Sequence, residues 1–248
     1  MIGLASSQML VQLSSMPIAM TIPSVARDFD VEVSKAAWMV IVRLLMLGST
    51  VFLAARLGEK YGHVRVYIIG IIVLSVGSVL AATAFDFNQL ILWSGLVGVG
   101  GALITANSNA ILVMVFDEQE RGRAFSVPVV SARFGSLLGL VLFGVFLQFL
   151  NWRFVFLTSL PIGILAVMNN YPLLKHHSVQ MMEAARNISI NYAGAILMVV
   201  TLGTFVLSGL HIHGGEETFT SEEAISYHVP MHILFLSLLV LFIVVQHR

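Results

Sequence analysis

Eight apolar stretches follow one another along the chain, at about 3–23, 36–55, 65–84, 89–115, 124–149, 153–170, 191–211 and 231–247, each bounded by charged or turn-forming residues. A helix rises about 1.5 Å per residue, so about 20 apolar residues cross a hydrocarbon core roughly 30 Å thick. Lipid offers the backbone no hydrogen-bond partner, and runs of this length satisfy it as helices. Hydrophobic residues make up 58% of the chain and charged residues 10%, with a mean hydropathy of +0.92, which leaves too little polar surface for a soluble fold. The sequence therefore predicts an all-α membrane protein.

No Lys or Arg precedes Gln8, and the first apolar run is too long for a cleaved leader, so it is expected to stay in the membrane. With the N-terminus cytoplasmic, inside loops hold Arg56, Lys60, Arg65, Arg121, Arg123, Lys175, Arg186 and Arg248, against Arg27, Lys35 and Arg153 outside. That bias predicts a multi-pass protein of the inner membrane with its N-terminus inside. Formal net charge is zero, which gives no reason to expect nucleic acid as a partner. The absence of cysteine excludes disulfides and thiolate metal sites.

Connections are short through the sixth stretch, after which a polar segment, Asn169 to Ile190, marks a boundary. The expected organisation is a six-helix transmembrane bundle over 1–170, then a cytoplasmic connection and two linker helices over 171–248. A second polar segment, His211 to His228, carries Glu216, Glu217, Glu222 and Glu223 and is expected outside the membrane. Alternating access needs two bundles rocking about a site between them. Six helices plus two thus predict a fragment of a longer chain, or a bundle that pairs with a second copy.

Several local patterns resemble the major facilitator superfamily, and within it the fourteen-helix drug:proton antiporter branch. Asn151-Trp152-Arg153-Phe154 through Pro161-Ile162-Gly163 is similar to the Trp-Arg-Trp-x-Phe…Pro-x-Gly opening of helix 6 in that branch. An amphipathic ring and a snorkelling guanidinium, as Trp152 and Arg153 supply, suit the water interface, where they fix helix depth. Arg121-Gly122-Arg123-Ala124 looks like the family's loop between helices 4 and 5. The segment Ala55 to Arg65 resembles the gating motif Gly-x-Leu-Ala-Asp-Arg-x-Gly-Arg-Lys, with Glu59 at the Asp position and Lys60 at the first Arg. Glu59, Arg65 and Arg121 are accordingly candidate gating residues, with a plain cytoplasmic turn and a topological anchor as the alternatives. Ser131, Gly135 and Gly139 on helix 5 are similar to the antiporter motif, and small residues at that spacing also let another helix approach closely. The resemblance implies a multidrug-efflux-like antiporter for small amphipathic substrates, with a six-helix bundle plus two additional helices, no cofactor and no enzymatic activity.

Ionisable residues at bilayer depth are expensive, which makes Arg43 and Arg133 candidate substrate contacts. Each is expected to attract an anionic group or bridge to a carboxylate on the other half. The alternatives are snorkelling for Arg43 and a buried hydrogen-bond hub for Arg133. Arg133 lies about 200° around its helix from Gly135, on the side away from close packing. Every Asp and Glu falls in a loop or at a helix end. In the related antiporters an acid in helix 1 and an Arg in helix 4 are associated with proton coupling, and the corresponding positions here are Ser14 and Ser94.

Neutral polar residues complete the candidate lining of a path. Gln8, Gln12 and Ser15 share one face of helix 1, and Ser94, Gly98, Gly101, Thr105 and Ser108 share one face of helix 4, with Asn107 beside them. Interhelical packing is the alternative for both stripes. His211, His213, His228 and His232 lie near one hairpin, and scattered interfacial histidines are favoured over a zinc site. Gly95, Gly98, Gly100 and Gly101 have no preceding strand and make no nucleotide loop. No metal site or catalytic constellation is assigned. A non-transporting membrane subunit that binds a partner membrane protein remains the second reading.

Overall fold

The computed structural model describes residues 2–184, 192–209 and 222–246, and among these every regular element is a helix. They fall into two compact units, Met1–Ser189 and Ile190–Arg248. In the first, α1 (Ile2–Leu13) and α2 (Met16–Asp28) make a broken helix, followed by α3 (Val33–Ala36), α4 (Trp38–Tyr61), α5 (His63–Ala82) and α6 (Phe87–Val115). The unit continues with α7 (Arg121–Phe149), α8 (Arg153–Leu157) and α9 (Ser159–Ala184). The second unit pairs α10 (Tyr192–Gly209) with α11 (Glu222–Gln246), with the Phe205 and Phe235 rings 4.9 Å apart.

Among the described residues six helices are long and apolar enough to cross a membrane, and the bent α1–α2 pair makes up to seven. α10 is shorter, its apolar part running Ile196–Phe205. The expected first span is therefore broken, and the local chemistry explains why. Ser14 and Ser15 turn their hydroxyls back onto the Leu10 and Val11 carbonyls, at 2.7 Å each, and so compete with the helical ladder. A proline near the first turn of α2 removes a further N–H donor, and the two segments meet at 41°.

The expected loop over 55–65 is also revised. α4 runs on to Tyr61, and one residue, Gly62 at φ 95, separates it from α5. A side chain there would be strained, so the glycine makes the reversal. α6 starts at Asp86, which accepts from the Gln89 N–H at 2.9 Å while the Gln89 side chain accepts from the Phe85 N–H at 3.2 Å. The polar segment after Asn169 is helical as far as Ala184 rather than an open connection, in keeping with its Leu, Met, Lys, Glu and Ala content.

Two apolar cores stack along the bundle. One joins α1, α5, α6 and α9 through Leu10, Tyr67, Ile71, Leu74, Ile104 and Ala166. The other joins α2, α4, α5, α6 and α8 through Ile18, Met39, Ala81, Leu90, Trp152 and Phe156. The break at Ser14–Ser15 falls between them, and it is there that the polar site is built.

Candidate functional site

Gln8, Gln12 and Ser15 are half-buried, while Leu10, Val11, Leu13 and Ser14 between them are buried. Helix 1 thus keeps one polar face partly open. Gln8 donates to the Ser108 hydroxyl on α6 at 2.8 Å, whereas Gln12 makes no side-chain hydrogen bond. Behind this face lies Arg43, only 3% exposed. Its Nη2 donates to Ser14 Oγ at 3.1 Å and to Ser15 Oγ at 3.3 Å, and its Nη1 is buried without a partner. Snorkelling is thereby ruled out for Arg43, whose side chain points into the bundle. Ser14, which accepts its bond, stands where the related antiporters carry an acid in helix 1; the spacing along the chain did not show that a buried cation lies opposite it.

The polar stripe on α6 serves packing more than lining. Ser94 is buried with an unpartnered hydroxyl, and Thr105 returns its hydroxyl to the Gly101 carbonyl at 2.8 Å. Gly98 rests directly on the Arg43 carbonyl, and Gly100 faces the Leu74 backbone on the other side. Asn107 is fully occupied: Nδ2 donates to the Ala54 and Leu103 carbonyls at 3.1 and 2.8 Å, and Oδ1 meets His63 Nδ1 at 2.8 Å. It ties α4, α5 and α6 together and presents nothing to a ligand. Asn107→Ala is expected to lower stability by about 2 kcal/mol, because two buried groups lose their partners; thermal unfolding of the purified protein checks this.

Arg133 is exposed on α7 and makes no hydrogen bond, so it is no buried hub. Its neighbours Val129, Val130, Phe134 and Leu137 are exposed as well. Gly135, on the opposite side, packs on the Met9 backbone of α1, which gives the small-residue stripe its packing role.

The gating candidates separate. Glu59 pairs with Arg56 one turn away at 2.8 Å, and both side chains are well exposed. Arg65 is exposed and makes no hydrogen bond. Arg121 donates to the Val113 and Phe116 carbonyls at 3.2 and 3.3 Å and so closes the C-terminus of α6. Glu59→Gln is expected to change stability by no more than about 0.5 kcal/mol, since an exposed pair at this spacing is weak; a larger drop in unfolding temperature than the parent's experimental scatter would contradict that.

At the other end of the bundle, Trp152 is buried in the core while Arg153 is partly exposed beside it. Trp152 is 2% exposed and donates Nε1–H to Asp28 Oδ2 at 3.1 Å. Arg153 donates to the same oxygen at 3.4 Å and to the Ala82 and Ala84 carbonyls at 2.9 and 2.8 Å. The pair clamps α2, α5 and α8 together. A second cluster that sequence reasoning missed joins Ser7, the Tyr67 hydroxyl and Asn170, whose Nδ2 donates to the Gly3 carbonyl at 3.0 Å. Their meeting depends on which helices become neighbours, and no spacing along the chain marks it. Of the four histidines, His211 and His213 lie outside the described residues; His232 donates to the His228 carbonyl at 2.7 Å.

A bundle of apolar membrane-length helices around a polar break, with a buried cation behind a half-open polar face, defines an α-helical multi-pass membrane protein. The chain belongs to the Major Facilitator Superfamily, whose model matches residues 4–245. It is 29% identical over 145 residues to the riboflavin transporter RibZ of Clostridioides difficile (strain 630), covering 58% of this chain and 32% of that protein. It is 28% identical over 219 residues to the multidrug resistance protein Stp of Mycobacterium tuberculosis (strain CDC 1551 / Oshkosh), covering 87% of this chain and 39% of that protein. The chain thus spans well under half the length of these relatives. Among solved structures, the peptide transporter POT superposes with a TM-score of 0.67 at 15% identity, over 85% of this chain and 46% of the other. The xylose transporter XylE from E. coli, in its inward-open conformation, does so at 0.61 and 15%, over 96% and 64%. These two likenesses establish the fold.

Proposed function

We propose that the chain forms one half of a secondary active transporter that moves small amphipathic molecules by alternating access, working with a second bundle from a longer chain or a second copy. The observation that carries this reading is the half-open polar face Gln8–Gln12–Ser15, which ends at a buried cation inside a bundle of the major facilitator family. The relatives' names, a riboflavin transporter and a multidrug resistance protein, support a small-molecule cargo. Arg133 supports the second bundle: an exposed arginine among apolar side chains at mid-helix is costly against lipid, and a carboxylate or water on a facing bundle relieves that cost. The basic residues at the Gly62 end of the bundle, Arg56, Lys60, Arg65, Arg121 and Arg123, favour that end as cytoplasmic in the inner membrane. There Arg65, free of internal bonds, is available to pair across the two bundles as a gate, whereas Glu59 and Arg121 act within their own.

The test is transport by the full-length protein in vesicles with an imposed pH gradient and an amphipathic dye. Gradient-driven dye movement is the expected result. One other reading, a non-transporting subunit, is favoured by the placement of the acids: among the described residues every carboxylate lies in a loop or in the terminal turn of a helix, and Ser14 and Ser94 occupy the positions associated with proton coupling. Folded full-length protein that moves no dye under any gradient would select it.

A further inference from the structure

We propose that Arg43 recognises an organic anion, so that the cargo of this bundle carries a carboxylate or a comparable acidic group that completes the guanidinium's coordination at the α1–α2 break. This rests on the transporter reading and names its substrate class. Arg43 is 3% exposed, and both its partners are neutral hydroxyls. Arg43 takes part in no ion pair; neither Arg56–Glu59 nor Arg153–Asp28 reaches it. A buried cation without a counter-charge is costly to keep.

Three details give the site its preference. Arg43 Nη1 is buried with no partner, so its N–H groups remain to be satisfied. Ser14 and Ser15 donate their own protons to the Leu10 and Val11 carbonyls, which leaves them acceptors toward Arg43 and holds the guanidinium in place. Ser94, with its buried unpartnered hydroxyl, lies one turn from Gly98, which rests on the Arg43 backbone. A planar fork with free donors suits a carboxylate, and no acidic group is present to hold a cationic cargo. Ser15 is half-buried in line with Gln12 and Gln8, so the cation lies one side chain behind the open polar face.

Three probes that share one ring and differ in charge test the inference: 1-naphthoate, 1-naphthylmethylamine and 1-naphthalenemethanol, titrated into the full-length protein in nanodiscs of zwitterionic lipid. Calorimetry and the shift in unfolding temperature are the readouts. Naphthoate is expected to bind at least tenfold more tightly than the other two. Ser14→Asp sets a fixed carboxylate at a position 3.1 Å from Arg43 Nη2; it is expected to raise the unfolding temperature and to weaken naphthoate at least tenfold. Arg43→Lys keeps the charge but loses the fork, and is expected to weaken naphthoate several-fold without creating affinity for the amine. Equal or tighter binding of the amine, naphthoate affinity unchanged in both variants, or stabilisation by chloride with none by naphthoate would each overturn it. Should Ser14→Asp not fold, the lysine variant and the probe ranking still decide. Binding is read without transport, so a protein that binds naphthoate and moves no dye fails the transport reading alone.

Discussion

Replacing Trp152 with alanine is expected to lower stability by about 3–5 kcal/mol, the range for deleting a large buried aromatic side chain. Trp152 is 2% exposed, and its ring centroid lies 5.8 Å from both Phe29 and Phe156. Its loss empties the core in which α2, α5 and α8 meet, and it also removes the indole donor to Asp28 and the face over which Arg153 sits at 4.7 Å. Trp152→Phe separates these contributions. The ring contacts survive in part and the hydrogen bond does not, so a loss nearer 1–2 kcal/mol is expected. Unfolding temperature of the detergent-purified variants reads both. If alanine and phenylalanine cost the same, the ring packing is not what holds this end of the bundle together.

A substitution at Gly98 has the second large effect. An added Cβ would lie on the Arg43 carbonyl and 3.2 Å from the Leu47 nitrogen, and helix backbone cannot yield as a flexible side chain does. Gly98→Ala is expected to cost about 1–3 kcal/mol and Gly98→Val more, because α4 and α6 must separate. The contrast is Gly48 on α4, where a Cβ meets nothing within 4 Å. There alanine is expected to be neutral or to gain up to about 1 kcal/mol through helix propensity. Parallel thermal unfolding of Gly98→Ala and Gly48→Ala checks the sign of both. Equal behaviour would mean that α4 and α6 are not in backbone contact.

Helix positions were the most legible property of this sequence, since apolar runs of membrane length report directly on burial in lipid. The break at Ser14–Ser15 was not, because two serines and a proline interrupt hydrogen bonds without interrupting hydropathy. Gly62 was hidden for a similar reason: the charges from Arg56 to Lys60 resemble a loop, yet they decorate the last turn of α4 and leave a single residue to reverse the chain. At the candidate site, Gln8 and Gln12 stand four residues apart on α1 and both are half-buried, whereas Ser15 lies beyond the end of that helix, at the break. The surroundings of Arg43, Asn107, Trp152 and Arg153 depend on which helices become neighbours. Spacing along the chain carries no such information, which is why a snorkelling Arg43 was a reasonable expectation that the packing reversed.

The central claim is that the Gln8–Gln12–Ser15 face of the broken first helix lines an aqueous path leading to Arg43. This chain contributes no cysteine, so once any cysteine outside it is replaced, single-cysteine variants report their own accessibility. The deciding measurement is the labelling of Gln12→Cys by a membrane-impermeant maleimide in the full-length protein, with Leu10→Cys, on the buried side of the same helix, as the reference. Rapid labelling at position 12 with protection at position 10 is the result expected. Equal protection at both positions would contradict an aqueous path along this face.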